Sequence, residues 1–246
     1  FDATARVLHD IGLDAVETRD YSLAAIKRAL NQLLVFFPVY RTYRRDEPLS
    51  PADRAVLERA VAAARGRLEG EAAAALDQVL SLVEGDQDAE RRAWVTGFQQ
   101  LSGPVMAKAL EDTAFYRFPR LLALNEVGGG PDAHGIAPDA FHAMNAERLA
   151  SWPHTMLGTA THDTKRGEGT RTRLAVLSEL PEEWAEAVRG WRELNAAVRP
   201  AGLHPKDEYT LYQALVGVWP QELGPGDEAA LAALRGGVND RVRGYL

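Results

Sequence analysis

Residues whose types could do chemistry gather in the stretch THDTKR, residues 161–166. A run of small residues that favours a short strand ends there, and His162, Asp163, Lys165 and Arg166 follow at once. In a (β/α) barrel, catalytic groups lie at the carboxyl ends of strands. An acid in that position can serve glycosidic chemistry, in which carboxylates surround an oxocarbenium-like centre. An ordinary turn closed by a histidine–aspartate hydrogen bond is the alternative that the residues leave open.

Three further stretches combine charged or aromatic side chains with turn signals. They are VYRTYRR (39–45), KALEDTAFYRF (108–118) and LNEVGGG (124–130). The second stretch also fits a solvated helix face with aromatic residues in the core, and the third also fits the end of a helix. The residues alone therefore leave a non-catalytic, all-α binding or interaction module open beside an enzyme.

Other chemistries lack the residues that they need. The six histidines show no metal-ligand spacing, the glycine run lacks the Lys-Ser/Thr of a phosphate-binding loop, and no GxSxG elbow is present. Cysteine is absent, which excludes thiol catalysis and fits a reducing compartment. We therefore expect no metal, no cofactor and a cytoplasmic location.

Charge and hydropathy exclude two kinds of partner. The net charge of −7 argues against a nucleic-acid partner, because such binding needs a basic face. No apolar run approaches the roughly twenty residues of a membrane span, and the start of the sequence shows no signal peptide. We therefore expect neither nucleic acid nor a membrane as a partner.

Apolar spacing predicts a mostly helical chain with two short strands. The strands are predicted over 37–43 and 154–163. Helices are predicted over residues 21–36, 49–68, 71–84, 87–101, 138–149, 170–180, 181–198, 206–219 and 227–246. Since two strands do not make a stable sheet alone, they must pair with each other or with strands outside this sequence.

Longer blocks around these stretches resemble the maltooligosyl trehalose synthase family of the α-amylase-like glycoside hydrolases. The blocks are ALNQLLVFFPVYRTY (29–43), FQQLSGPVMAKALEDTAFYRFPRLLALNEVGG (98–129) and WPHTMLGTATHDTKRGEGTRTRLAVLSELPEEW (152–184). The resemblance implies a (1→4)-α-D-glucan 1-α-D-glucosylmutase with a maltooligosaccharide substrate. Such an enzyme converts the reducing-end α-1,4 bond into an α,α-1,1 bond and leaves a terminal trehalose unit.

The resemblance also assigns roles to individual residues. Asp163 is expected to be the third acid, which holds hydroxyls of the distorted glucose and stabilises its developing positive charge. His162 is expected to bind the same sugar, with Lys165 and Arg166 beside the reducing-end subsite. Further substrate contacts are expected from Lys108, Glu111, Tyr116 and Arg41.

Two catalytic groups of that superfamily have no counterpart in this sequence. The nucleophile motif RxDHxDG and the general acid/base glutamate are missing, and VNDRVRG (238–244) is not a substitute. The sequence also begins with phenylalanine rather than methionine. We therefore expect part of a longer polypeptide, partnered by the N-terminal barrel half that carries both groups, and no activity from this chain alone.

The resemblance implies a definite architecture. The expected fold is mainly α with a few short strands, as a fragment of a (β/α)8 barrel that carries an inserted helical subdomain. Its parts are a barrel helix and strand (1–48), the inserted helical subdomain (49–101), a late barrel segment with the active-site motif (102–180) and the following helices (181–246).

Overall fold

The structure is a computed structural model that describes residues 1–45, 48–85, 88–132 and 135–220, with scattered positions between 224 and 244. The helices predicted over 227–246, including the VNDRVRG stretch, fall largely outside the described residues. The chain divides into two compact units, Phe1–Leu110 and Glu111–Leu246. The division into four parts expected from the sequence stays a prediction.

Five helices form the described part of the first unit. They are α1 (Asp2–Leu13), α2 (Leu23–Val35), α3 (Pro51–Arg65), α4 (Gly70–Glu84) and α5 (Ala89–Val105). Helix α2 is central and packs against α1, α3 and α4. The four helices predicted within 21–101 are confirmed, whereas α1 was not predicted.

The core of the first unit is closed by aromatic residues of α5. Trp94 and Phe98 stack with ring centroids 5.6 Å apart, and Phe37 meets Phe98 edge-on at 5.6 Å. The indole Nε1 of Trp94 donates to the carbonyl of Thr4 at 2.9 Å, so the buried ring keeps its polar atom paired. This bond ties α1 to α5.

The strand predicted over 37–43 is wrong, because the described residues there are irregular. Side chains pair with backbone groups at the end of this segment and directly after it. The Gln99 side chain accepts from the Arg44 amide at 2.6 Å and donates to the Arg44 carbonyl at 2.9 Å, and Asp53 accepts from the Tyr43 amide at 3.2 Å. Since buried backbone groups need a partner of some kind, the Gln99 side chain provides one for the buried Arg44.

The second unit consists of short helices and turns. They are a π-helical stretch (Met106–Ala114) that begins in the first unit, α6 (Phe115–Arg117), two 3₁₀ turns (Leu122–Leu124 and Val176–Ser178), α7 (Pro138–Ser151), α8 (Glu168–Ala175), α9 (Pro181–Leu194) and α10 (Pro205–Val218). The predicted helices within 138–219 are confirmed, with shifted ends. Helix α10 packs against α8.

Two residues of α10 set the packing of the second unit. A Cβ at Gly217 would lie 2.7 Å from Cγ2 of Thr170, so glycine permits the close approach of α8. The fully buried Gln213 accepts from the Leu122 amide at 2.9 Å and donates to the Pro119 carbonyl at 2.7 Å. Gln213 therefore anchors the segment that leads into the candidate site.

The strand predicted over 154–163 is also absent from this part of the structure. Met156 and Leu157 are 96% and 76% exposed, and α7, which precedes them, has no buried residue. A strand needs a partner for its backbone groups, and the described residues offer none. The described chain is therefore all-helical, and the expected barrel strands are not confirmed.

None of the helices in the described ranges has both the length and the apolar character that crossing a membrane requires.

Candidate functional site

The THDTKR stretch forms a tight turn in the second unit. The Thr161 amide donates to Oγ1 of Thr164 at 2.7 Å, and the Thr164 amide donates to the Thr161 carbonyl at 3.2 Å. His162 and Asp163 lie at the tip, with side chains 91% and 69% exposed and 3.3 Å between Nε2 and Oδ2. The turn therefore presents both side chains to an approaching molecule.

The contact between His162 and Asp163 does not by itself mark a catalytic pair. His9 and Asp10 of α1 make a similar contact, with 3.4 Å between Nδ1 and Oδ1. What distinguishes His162 and Asp163 is that hydrogen bonds from another segment hold the backbone directly after their turn.

Glu126 accepts these hydrogen bonds. Its Oε1 accepts from the Lys165 amide at 2.6 Å, and its Oε2 accepts from the Arg166 amide at 3.0 Å. The carboxylate thus binds the backbone of the residues that follow the turn. Arg166 extends the contact, because its guanidinium donates to the carbonyls of Leu122 at 3.2 Å and Asn125 at 3.3 Å.

The ammonium group of Lys165 lies among acids and an aromatic ring. Its Nζ is 2.5 Å from Oδ1 of Asp112 and 5.7 Å from the ring centroid of Tyr116. The hydrogen bond to Asp112, aided by the charges of Tyr116, Asp112 and Glu111, raises the pKa of Lys165 although its desolvation opposes this. Lys165 therefore stays cationic at neutral pH.

The glycines of LNEVGGG make the turn that aims Glu126. Gly128 has a φ of 74°, in the left-handed region that favours glycine, and its amide donates to Oε1 of Glu111 at 3.0 Å. A Cβ at Gly129 would lie 2.7 Å from the Leu124 carbonyl oxygen and 2.9 Å from that of Glu126. Glycine is thus favoured at 128 by the φ angle and at 129 by the lack of space for a Cβ.

Asn125 fastens this turn to α6. It is buried, and its Nδ2 donates to the carbonyls of Phe115 at 2.8 Å and Phe118 at 2.9 Å. LNEVGGG is therefore a folded platform under the THDTKR turn.

The structure brings most of the predicted site residues into one region of the second unit. The LNEVGGG platform is surrounded by Glu111, Tyr116, Lys165 and Arg166. The adjoining turn carries His162 and Asp163. The substrate roles of all six stay predictions.

Two predicted residues lie in the first unit. Arg41 is half-buried, with its guanidinium carbon 4.7 Å from the Tyr43 ring centroid and its Nε 3.3 Å from the Thr42 carbonyl oxygen. Lys108 is exposed on the π-helical stretch. Their roles also stay predictions.

Sequence reasoning assigned no role to Asp112, Asn125 or Glu126, which hold the site together. The sequence did contain an indication of Asn125 and Glu126, because an amide and an acid before a glycine run can fold back onto a neighbouring segment. The segment that they would meet, some forty residues later in the chain, was not predictable from spacing.

No family model matches the chain. It is similar instead to proteins named maltooligosyl trehalose synthase. A Mycobacterium tuberculosis protein that carries this name provisionally is 46% identical over 122 residues, which are 50% of this chain and 15% of that protein. The same values hold for the proteins of strains CDC 1551 and H37Rv.

Solved structures give the same result over more of the chain. The Arthrobacter ramosus maltooligosyltrehalose synthase is 34% identical with a TM-score of 0.67, covering 88% of this chain and 26% of that one. A hypothetical maltooligosyl trehalose synthase of Sulfolobus tokodaii is 26% identical with a TM-score of 0.58, covering 95% and 30%. The resemblance predicted from the motifs is confirmed, and the chain spans 15% of its curated relatives.

Proposed function

We propose that this chain is part of an enzyme that isomerises the reducing-end α-1,4 bond of maltooligosaccharides to an α,α-1,1 bond. The supporting observation is the similarity to the Arthrobacter ramosus synthase, with 34% identity and a TM-score of 0.67 over 88% of the chain. The reaction is an intramolecular transglucosylation of the (1→4)-α-D-glucan 1-α-D-glucosylmutase type.

In this proposal Asp163 is the catalytic acid that the chain contributes. Its carboxylate is 69% exposed on the turn, so it is free to accept hydrogen bonds from sugar hydroxyls. An ionised carboxylate grips those hydroxyls more strongly as the sugar becomes cationic, which lowers the barrier rather than only tightening binding. His162 donates to or accepts from the same sugar.

In this proposal Lys165 and Arg166, which follow the turn, bind the reducing-end glucose between the cleavage of its α-1,4 bond and its reattachment. The hydrogen bond to Asp112 raises the pKa of Lys165, and Arg166 is fixed against the Leu122–Asn125 segment. Both cations follow Asp163 within three residues, so a sugar held by them would stay near the reacting carbon. Retention of the freed glucose is what makes the reaction an isomerisation and not a hydrolysis. Glu111 and Tyr116 are the further proposed substrate contacts in this unit, and substrate contact by Arg41 and Lys108 of the first unit stays a separate prediction.

The remaining catalytic groups belong, in this proposal, to an N-terminal barrel half of a longer polypeptide. The exposed apolar side chains of α7 and of the segment after it support a partner that covers them. Phe141, Trp152, Met156 and Leu157 are 54%, 72%, 96% and 76% exposed. Large apolar side chains exposed close together in one stretch of chain are typical of surfaces that another part of a protein covers. Paired with barrel strands, residues 154–163 would gain the backbone partners that a strand needs.

The test is kinetic and uses the full-length polypeptide that contains this sequence. Asp163→Asn keeps the shape of the side chain and removes its charge. We expect kcat on maltohexaose to fall by roughly 10²-fold or more, about the effect of losing one preorganised electrostatic contact. The effect on KM should be smaller, because the contact strengthens in the transition state.

Asp10→Asn is the matched control, since Asp10 also follows a histidine that it contacts. It should leave kcat unchanged. Near-normal kcat in Asp163→Asn would reduce the THDTKR turn to an ordinary surface turn.

A further inference from the structure

We propose that Glu126 is a positioning residue that orients the THDTKR turn for the reaction; the inference rests on the proposed function. Glu126 does not need to touch the substrate. It acts through the backbone of Lys165 and Arg166, and through them on Asp163.

The Glu126 carboxylate is occupied by backbone amides. Besides the Lys165 and Arg166 amides at 2.6 and 3.0 Å, Oε1 accepts from the Val127 amide at 3.1 Å. Hydrogen bonds that end on a charged oxygen are stronger than those between neutral groups. A carboxylate shared by three amides therefore fixes two segments of chain against each other.

A salt bridge between Lys165 and Glu126 would compete with these backbone hydrogen bonds, and the structure does not form it. The Lys165 ammonium could pair with Glu126 directly, which would free the backbone, but Asp112 takes that group at 2.5 Å. Arg166 in turn points its guanidinium at the carbonyls of Leu122 and Asn125. Glu126 is thus left to bind main chain rather than side chain.

Glu126 is itself held in place. The Gly129 amide donates to the Glu126 carbonyl at 2.7 Å, and the neighbouring Gly128 amide is bound by Glu111. The preceding Asn125 is buried and bound to α6. The carboxylate therefore projects from a rigid support.

The link from Glu126 to Asp163 is short. Lys165 directly follows Thr164, and Thr164 closes the turn on Thr161 around Asp163. With Thr164 bound on one side and Lys165 on the other, Asp163 has little backbone freedom. Catalytic groups must be held within fractions of an ångström, so loss of this clamp should cost rate rather than folding.

The first measurement needs no activity and uses this chain. Glu126→Gln keeps the shape but lacks the charge and the second acceptor oxygen. We expect the amide protons of Lys165 and Arg166 to move upfield in the NMR spectrum and their hydrogen exchange to accelerate by roughly 10-fold or more. The melting temperature should change little. Glu147→Gln, an exposed acid on α7, is the control and should leave both amides unchanged.

The second measurement uses the full-length polypeptide and maltohexaose. Glu126→Gln should lower kcat by roughly 10-fold with KM nearly constant, and it should raise free glucose relative to trehalose-ended product.

The outcomes separate this inference from the proposed function. Unchanged Lys165 and Arg166 amides in Glu126→Gln would overturn the positioning role whatever the enzyme does. Altered amides with unchanged kcat and product ratio would overturn it as well. A full-length wild-type protein that leaves maltohexaose untouched would instead contradict the proposed function.

Discussion

Single polar residues, paired inside the second unit, decide how its helices meet. Glu208 of α10 is 4% exposed and accepts from the Tyr212 hydroxyl at 2.7 Å and from Arg199 at 3.0 Å, with Arg192 at 3.3 Å. Burial raises the pKa of Glu208, but the hydrogen bonds from Tyr212 and Arg199 and the two cations lower it overall below its ordinary 4.5. Its ionised form therefore stabilises the fold.

This network predicts an acid-dependent loss of stability. Because the folded pKa of Glu208 lies below the unfolded value, its contribution is full above about pH 4.5 and disappears as the pH falls through the folded pKa. Glu208→Gln should lower the melting temperature by several degrees at pH 7, and the gap to wild type should narrow below about pH 4.5. Thermal melts followed by circular dichroism at several pH values measure both.

Glu182→Gln, an exposed acid in the first turn of α9, is the control and should show no such pH-dependent gap. A gap for Glu208→Gln that stayed constant down to about pH 3 would contradict the ionised network.

At the same scale, residue types and motifs indicated the THDTKR turn, but the residues that hold it were missed. His162, Asp163, Lys165 and Arg166 stand out because their side chains are reactive or charged. Glu126 and Asn125 act through backbone atoms of distant segments, and nothing in local spacing reveals which amides a carboxylate will reach.

Among the elements, the close crossing of α8 and α10 depends on glycine at position 217, which has no side chain. Leu174 is fully buried at this crossing, and the Thr170 hydroxyl donates to the Gly217 carbonyl at 3.1 Å. The Cβ of an alanine at 217 would lie 2.7 Å from Thr170 Cγ2 and 3.5 Å from Leu174 Cγ. The gain in helix propensity from alanine is therefore outweighed by a clash in a packed interface.

Two glycine-to-alanine changes separate these effects. Gly217→Ala should lower the free energy of unfolding by about 1–3 kcal/mol, the usual cost of overpacking. Gly190→Ala in α9 meets nothing within 4 Å, so it should raise that free energy by about 0.5–1 kcal/mol. Urea denaturation of both variants gives the two values. A stabilised Gly217→Ala would contradict the packing of α8 on α10.

The elements that were predictable are those whose pattern is local. Helices α2 to α5 carry apolar stripes, and α3 also has the Ser50 cap, whose Oγ accepts from the Asp53 amide at 3.1 Å. Strands depend on a partner, and neither predicted strand finds one in the described residues. Just after the first predicted strand, the backbone amide and carbonyl of Arg44 are paired by the side chain of Gln99, 55 residues later in the chain, and no local pattern reveals that contact.

At the scale of the whole molecule, the two units differ in how completely they bury their apolar residues. The first unit encloses its core, with Trp94, Phe98, Leu30 and Leu76 at most 2% exposed. In the second unit α7 buries nothing, and large apolar side chains follow it on the surface. Together with a match to 26% of the Arthrobacter ramosus synthase, this contrast supports the proposal that the described chain is part of a longer polypeptide.

The measurement that tests the central proposal most directly is the number of reducing ends left when maltohexaose is incubated with the full-length polypeptide. The proposal predicts that reducing ends disappear while little free glucose accumulates, because the terminal glucose is moved and not released. Residues 1–246 alone should leave the count at the level of a blank, since the proposal places the attacking carboxylate and the proton donor in another part of the polypeptide. A full-length protein that leaves the reducing ends unchanged, or that increases them by hydrolysis, would contradict the proposed function.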